Sequence, residues 1–338
     1  MKQFKKYILI PLLITGLLPV SGCGTATSSQ ITMSSRNKPN IAICWHNAQT
    51  SYSYESTFAA AGELDANIIK LDMVRSYDLE YDANGNLTNA KDENGMLISQ
   101  AAKLVKTNTW QNSDAAEVLK NVDAVIFPGG SDISPTLYYT EQPCHGIPEE
   151  IDYCAERDVS DYILMDYCLD NDIPILAICR GMQMLSVVSG ADIIQDAGTW
   201  YSEQGIKYTN MHRDPEKKDL VPHDIEVTSE DSLLYKIIGQ NSLSGCPSWH
   251  HQLVSNVSDT RLSVIAQTMT DGLPVIEAVE RTDKTFCLGV QFHPEIAVRK
   301  HLDQTENADD FMDYDTAMLF FKALAEANAE SNDIHEAA

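Results

Sequence analysis

The sequence predicts an α/β fold in which helices cover both faces of a central, mainly parallel sheet. Short runs rich in Ile and Val, without polar alternation, are typical of strands that are buried on both faces. Longer amphipathic stretches separate the early runs, as crossover helices would. The late runs are instead joined by short turns such as Thr270–Gly272 and Arg281–Asp283, which indicates antiparallel strands added at the sheet edge.

The predicted elements follow one another from residue 41 to the C-terminal region. The early strands are expected at Ile41–Trp45, Asn67–Asp72, Ala124–Phe127 and Ile173–Ile178, with helices at Tyr54–Leu64, Asp158–Leu169 and Gly181–Val188. The late strands are expected at Asp224–Thr228, Leu262–Gln267, Val275–Glu280 and Thr285–Phe292. Five apolar residues have the spacing of one face of a closing helix: Phe311, Tyr314, Met318, Phe321 and Ala325.

One domain, from residue 38 to 330, accounts for these elements, and an acidic tail follows at 331–338. The polar segment Tyr81–Asn112 is long for a connection in a compact sheet. It contains two turn signals, Asp82–Gly85 and Asp92–Gly95. We interpret it as a surface insertion or as a lid over the functional site.

The composition is that of a folded, acidic protein. The 338 residues are 43% hydrophobic, which is enough to bury a sizeable core and excludes a disordered or collagen-like chain. Asp and Glu number 49 against 24 Lys and Arg, which gives a formal charge of −25. Because nucleic acid is a polyanion, we expect no nucleic-acid partner.

The N-terminal region predicts export and lipidation. Three lysines within the first six residues precede the uncharged run Tyr7–Val20, which is too short to span a bilayer, so residues 1–22 are interpreted as a signal peptide. Val20–Cys23 resembles a bacterial lipobox, which predicts a lipid on Cys23 and a flexible tether over residues 23–37. The protein would then be anchored on the extracytoplasmic side of the membrane. The alternative is ordinary secretory cleavage with an incidental Cys23.

The eight cysteines and nine histidines do not predict a metal site. Cys44 and Cys287 lie in apolar runs, where Cys is usually a small buried side chain. Four other cysteines could form disulfides in a pairing that the sequence leaves open: Cys144, Cys154, Cys168 and Cys246. Because no CxxC is present and the histidines show no zinc-like spacing, we expect neither metal nor cofactor.

The stretch Pro174–Gln183 predicts a nucleophile at Cys179. A buried strand passes directly into a helix at this cysteine, with Ala177 before it and Gly181 after it. Small residues at these offsets permit the sharp turn of a nucleophile elbow, and a helix N-terminus favours a thiolate. A buried cysteine at the end of a strand, without chemistry, is the alternative.

Two further motifs carry groups that could act with a cysteine. Gly129 and Gly130 follow a buried strand and can turn backbone amides toward a cleft, as half of an oxyanion hole, although an ordinary turn would have the same sequence. His293 and Glu295 are two residues apart. On a strand, with its period of two, they face the same side, so Glu295 could orient His293 as a base, and an ordinary surface pair is the alternative.

Together these motifs resemble the class I glutamine amidotransferase-like superfamily and, within it, the γ-glutamyl-γ-aminobutyrate hydrolase branch of the cysteine peptidases. The matching stretches occur in the family's order from about Lys38 to Ala325: KPNIAICW, FPGGSDISPTLY, ERD, PILAICRGMQ, MHR, SWHHQ and GVQFHPE. The resemblance implies the flavodoxin-like fold of that superfamily. The chain departs from the family at Ala177, where Gly is usual, and in the length of Tyr81–Asn112.

The resemblance also implies roles for individual residues. Cys179 would be the nucleophile, His293 the general acid and base, and Glu295 the residue that orients the imidazole. Backbone amides of Gly130 and Arg180 would form the oxyanion hole. Five residues would lie near the substrate: Gly129, Gln183, His250, His251 and Gln252.

The activity implied by the resemblance is hydrolysis of γ-glutamyl amide bonds in small γ-glutamyl compounds, through a γ-glutamyl thioester and without a cofactor. One alternative is a glutamine amidotransferase subunit that supplies ammonia to a partner. Another is a catalytically inactive, substrate-binding lipoprotein. The amine half of the substrate, a preference for L- or D-glutamyl groups and the oligomeric state are left open by the sequence.

Overall fold

The computed structural model describes residues 38–45, 51–145, 151–209, 211–214, 216 and 220–336. The predicted signal peptide, lipidation site and tether at residues 1–37 lie outside the described residues. No helix among the described residues is long and apolar enough to cross a membrane.

Strands and helices alternate in the first part of the chain, and most elements in the second part are strands. The strands are β1 (Asn40–Ile43), β2 (Asn67–Lys70), β3 (Ala124–Phe127), β4 (Ile175–Ile178), β5 (Asp192–Ile194), β6 (Val221–Val227), β7 (Ser242–Ser248), β8 (Leu253–Ser255), β9 (Leu262–Thr270), β10 (Leu273–Arg281) and β11 (Cys287–Val290). The helices are α1 (Tyr52–Gly62), α2 (Ser99–Asn108), α3 (Ala115–Val118), α4 (Ala155–Asp170), α5 (Arg180–Val188), α6 (Ala197–Glu203), α7 (Leu233–Ile238), α8 (Pro294–Leu302) and α9 (Tyr314–Glu336).

The central sheet has nine strands in the order β2-β1-β3-β4-β11-β10-β9-β6-β7. The first five are parallel, and antiparallel pairing begins between β11 and β10. Antiparallel pairing continues through β9, β6 and β7. This mixed sheet confirms the predicted α/β fold with antiparallel strands added at the edge. The strands β5 and β8 form a separate two-stranded sheet that the sequence analysis did not predict.

Two apolar cores lie on the two faces of the sheet, because side chains alternate along each buried strand. In β1, Ile41 and Ile43 belong to one core and Ala42 to the other. The Ile41 side packs against residues of α1, α8 and α9, and the Ala42 side against residues of α2, α4 and α5. The predicted helices on both faces are therefore confirmed.

The segment Tyr81–Asn112, interpreted above as a surface insertion or a lid, is folded and packs on the core. Its two turns close isolated bridges, Tyr81 with Leu87 and Lys91 with Leu97, and α2 follows. Leu87, Leu97 and Val105 are almost fully buried in the core shared with α4. Few buried apolar contacts are expected of a lid, whereas this segment contributes several.

The described cysteines are all free thiols. Of the four for which disulfides were considered, Cys168 and Cys246 are buried, Cys144 is exposed and Cys154 is half-buried. No disulfide therefore forms among the described residues.

Candidate active site

Cys179 lies at the sharp turn between β4 and α5. Its backbone adopts φ +51° and ψ −105°, a conformation that a non-glycine residue rarely takes and that marks strain at a functional position. Its N–H donates to the carbonyl of Val290 (2.7 Å), which ties the turn to the neighbouring parallel strand β11. The turn requires Gly181, because a Cβ there would lie 2.2 Å from the carbonyl oxygen of Phe127.

His293 and Glu295 stand at the start of α8, beyond the end of β11. The Nδ1 of His293 lies 2.7 Å from Oε1 of Glu295, and both side chains are buried. Strand periodicity, used above to place them on one side, is the wrong reason for this contact. The strand ends at Val290, His293 caps the helix and Glu295 lies in its first turn, so the helical start brings the carboxylate back to the imidazole.

Ser53 contacts the His293–Glu295 pair through Glu295, and the sequence did not predict this role. Its Oγ donates to Oε1 of Glu295 (2.8 Å), the same oxygen that contacts His293. Ser53 lies on α1, far from Glu295 in the chain, and no motif connects the two residues. Gly129 fits closely beside them, because a Cβ there would lie 2.8 Å from both the His293 ring and Ser53 Oγ.

The protonation of His293 is set by opposing effects. Burial alone would lower the pKa of this imidazole, but its interactions with Glu295 and Cys179 outweigh burial and raise its pKa to about 10. At neutral pH the ring is therefore an imidazolium, with Nδ1–H held by Glu295. Its Nε2 has no hydrogen-bond partner among the described residues, which leaves this nitrogen for the reacting groups.

A buried ion network supports the glycine turn after β3. Arg157 donates from Nη2 to the carbonyl oxygens of Pro128 (2.9 Å) and Gly129 (3.0 Å). Because the peptide bond is trans, the N–H of Gly130 points the opposite way from the Gly129 carbonyl and so away from Arg157. Gly130 has φ +152°, and a Cβ there would lie 1.9 Å from the Arg157 guanidinium, so only glycine fits.

Arg180 contributes its side chain to this network, not to the cleft. Its guanidinium contacts Asp158 (2.6 Å) and Asp161 (2.5 Å), and Asp161 also accepts from Nε of Arg157 (3.1 Å). Two arginines therefore face two buried carboxylates, which keeps the charges balanced away from water. Any role of Arg180 in an oxyanion hole would involve its backbone N–H, in the first turn of α5.

Three of the expected substrate-binding residues form one buried group. Gln183 Nε2 lies 3.4 Å from the Gln252 carbonyl, and the same carbonyl lies 2.9 Å from Nδ1 of His250. Burial lowers the pKa of His250 well below its usual value, so its ring is neutral. The amide group of Gln252 and Nε2 of His250 have no partners among the described residues.

His251 is placed differently from its neighbour His250. Its ring lies between two carboxylates, with Nε2 3.2 Å from Asp132 and Nδ1 3.5 Å from Asp196. Burial would lower the pKa of His251, but hydrogen bonds to Asp132 and Asp196 raise it to about 9. His251 is therefore a cation that joins the loop after β3 to the start of α6.

Comparison with known proteins identifies the family. The profile of the peptidase C26 family matches residues 88–295. The chain belongs to the peptidase C26 family. Protein NtpR of Enterococcus hirae is 33% identical over 183 residues, which cover 54% of this chain and 70% of that protein. The γ-glutamyl-γ-aminobutyrate hydrolase of Escherichia coli O157:H7 is 34% identical over 184 residues, 53% of this chain and 66% of that protein.

Solved structures with related folds include a glutamine amidotransferase from Thermotoga maritima, which is 14% identical with a TM-score of 0.42 and covers 86% of this chain and 95% of its own. The family and its named relatives confirm the resemblance to glutamine amidotransferase-like proteins and to the γ-glutamyl-γ-aminobutyrate hydrolase branch. For this C26 protein they support a hydrolase or amidotransferase-like activity.

Proposed function

We propose that this C26 protein hydrolyses γ-glutamyl amide bonds in small γ-glutamyl compounds. The observation that carries the proposal is the interaction of Cys179, at a strained turn, with the imidazole of His293, whose Nδ1 contacts Glu295. The name of the Escherichia coli relative, γ-glutamyl-γ-aminobutyrate hydrolase, supports the choice of substrate class.

In the first half of the reaction the sulfur of Cys179 attacks the γ-carbonyl carbon. As the C–S bond forms, the carbonyl electron pair moves to oxygen, and the backbone N–H groups of Gly130 and Arg180 stabilise that charge. The imidazolium of His293 then donates its Nε2 proton to the amine nitrogen. The C–N bond breaks, which releases the amine and leaves a γ-glutamyl thioester.

In the second half, water replaces the amine. The now neutral Nε2 of His293 removes a proton from water, whose oxygen attacks the thioester carbon. The C–S bond breaks, glutamate leaves, and the thiolate of Cys179 and the imidazolium are restored. Glu295 and Ser53 keep the ring oriented through both steps, because they hold Nδ1 and leave Nε2 toward the cleft.

We place the γ-glutamyl group against the buried polar atoms that lack partners among the described residues. The Gln252 amide and Nε2 of His250 supply such atoms, and Gln183 anchors the loop that carries them. A carboxylate or ammonium group of the substrate would hydrogen-bond to them.

The proposal is tested by a panel of γ-L-glutamyl-γ-aminobutyrate, γ-L-glutamyl peptides, γ-D-glutamyl wall fragments and L-glutamine, with mass detection of both products. We expect turnover of the first two classes and at least about 1,000-fold loss in Cys179→Ala. Cys168→Ala, which changes another buried cysteine on α4, is the control and should retain activity. Undiminished turnover in Cys179→Ala would refute the mechanism.

The panel also separates the alternative functions. Preferential release of ammonia from L-glutamine would favour a glutaminase subunit that serves a partner, as several relatives are named putative glutamine amidotransferases. An absence of turnover with every compound would favour a binding protein.

We further propose that the protein is anchored by a lipid on Cys23, on the extracytoplasmic side of the membrane. The support is the lysine-rich start, the apolar run and the lipobox-like Val20–Cys23 in the sequence. Metabolic labelling with a palmitate analogue should tag the protein, and Cys23→Ser should abolish the tag. Label retained in Cys23→Ser would contradict the proposal.

A further inference from the structure

A cluster of three buried side chains lies beside the candidate active site. His212 lies in the short segment 211–214, His223 on β6 and Glu277 on β10, and all three are buried. One ligand atom from each lies within 4.8 Å of the other two. The cluster adjoins the substrate group, because the ring of His250 lies 4.7 Å from that of His212 and the His250 N–H donates to the His212 carbonyl (3.0 Å).

The polar atoms of this cluster that face each other have no hydrogen-bond partners among the described residues. They are Nδ1 of His212, Nε2 of His223 and both carboxylate oxygens of Glu277. Buried polar groups are nearly always paired, so four such atoms at one place require an explanation. A buried carboxylate also needs a cation or a proton to offset its loss of hydration.

The distances match shared metal ligands better than hydrogen bonds. Nδ1 of His212 lies 3.4 Å from Oε1 of Glu277, and Nε2 of His223 lies 3.5 Å from Oε2. An N–H···O hydrogen bond is usually about 2.9–3.0 Å long. Ligand atoms bound to one tetrahedral zinc ion at about 2.0–2.1 Å are instead separated by about 3.3–3.4 Å.

A second contact prepares His212 as a ligand. Its Nε2 lies 2.9 Å from Oγ1 of Thr270, which is placed to accept the ring N–H. With that proton on Nε2, the lone pair of the neutral ring is on Nδ1 and points into the cluster. Metal-binding histidines typically donate their other ring N–H to an oxygen in this way.

We propose that His212 Nδ1, His223 Nε2 and Glu277 bind a divalent transition-metal ion, with zinc the best fit to two imidazoles and one carboxylate. The ion would join β6, β10 and the segment 211–214, and so hold the backbone that carries His250. The sequence does not predict this site, because its three ligands come from separate segments and have no motif spacing.

The test uses the full chain, purified without a polyhistidine tag or chelator from medium supplemented with zinc. Elemental analysis for manganese through zinc should give about one metal equivalent per chain. Glu277→Gln, which preserves shape, and His223→Gln should each lower this content to about a tenth or less. Cys179→Ala and Cys144→Ser should keep it, which excludes metal held by the reactive or the exposed thiol.

A stability measurement covers the case in which a variant folds poorly. Zinc chloride added to chelator-stripped wild-type protein should raise the thermal unfolding midpoint, and it should leave the midpoint of Glu277→Gln unchanged. The proposal is overturned if the wild-type chain carries no metal and zinc does not raise its midpoint. It is equally overturned if Glu277→Gln binds zinc as the wild type does.

Discussion

At the residue scale, the site depends on two residues with unusual properties: Cys179 has a strained backbone, and His293 is charged although it is buried. Cys179 adopts a positive φ that costs about 1–3 kcal/mol, and the packing of β4 and α5 on either side maintains it. His293 remains charged although buried, because Glu295 and Cys179 lie beside it. The backbone strain at Cys179 and the charge on His293 are both caused by the residues packed around them, and not by the residue types alone.

Under the proposed mechanism, Ser53 acts as a positioning residue for Glu295 and His293. Replacing it in Ser53→Ala removes a hydrogen bond to Oε1 of Glu295, and hydrogen bonds to charged groups contribute about 1.5–3 kcal/mol. We expect kcat to fall about 10-fold or more with little change in KM, and the loss of this buried hydrogen bond should also lower the unfolding midpoint by a few degrees. Ser186→Ala is the control, since that buried hydroxyl donates only to the Met182 carbonyl within α5. Equal kcat values in the two variants would show that Ser53 has no such role.

His251 should make stability depend on pH. Its folded pKa of about 9 lies above its unfolded value of about 6.5, because Asp132 and Asp196 outweigh burial and the repulsion from Arg213. The stabilisation is therefore complete below about pH 6.5 and is lost as pH rises through about 9. It should amount to about 3 kcal/mol.

The pH effect is measured as the free energy of unfolding in denaturant from pH 6 to 10. His251→Gln, which cannot carry a charge, supplies the reference curve. The difference between the wild type and His251→Gln should shrink across this window. A constant difference would mean that the charge on His251 does not contribute.

At the element scale, the elbow depends on the close approach of α5 to β3. Gly181→Ala would place a methyl group against the Phe127 carbonyl, so we expect a loss of at least about 2 kcal/mol. Gly62→Ala, at the last residue of α1, has nothing within 4 Å of the new Cβ and should be neutral or slightly stabilising. Thermal unfolding of both variants checks this, and equal midpoints would contradict the close packing.

The segment Tyr81–Asn112 is expected to behave as part of the core. Leu97 is fully buried, so Leu97→Ala should cost about 2–5 kcal/mol. Glu93→Ala, four residues earlier and exposed, should change stability by less than about 0.5 kcal/mol. Chemical denaturation compares them. A negligible effect of Leu97→Ala would contradict the packing of this segment in the core.

At the scale of the whole molecule, the parallel half of the sheet determines where the site lies. The strands β3, β4 and β11 are adjacent and parallel, so the residues that follow them meet at one edge. Gly130, Cys179 and His293 all follow one of these strands. The antiparallel half contributes His223 and Glu277 behind the site, on β6 and β10.

The sequence by itself determined the sheet class, most strand positions and the family. Runs of Ile and Val, the small residues around Cys179 and the order of the motifs are local properties, which a single sequence carries. The strands β5, β7 and β8 were not predicted from the sequence. The edge strand β7, SLSGCPS, contains Gly and Pro and has little intrinsic strand preference, so pairing with β6 decides its conformation.

Only the tertiary structure decided which distant side chains share a site. Ser53 joins Glu295, Arg157 holds the carbonyls before Gly130, and Glu277 meets two histidines on other segments. It also decided that Tyr81–Asn112 packs on α4 and that His251 is charged while His250 is neutral. The physical reason is that burial and electrostatic interactions depend on distance in space, whereas sequence patterns report only neighbours along the chain.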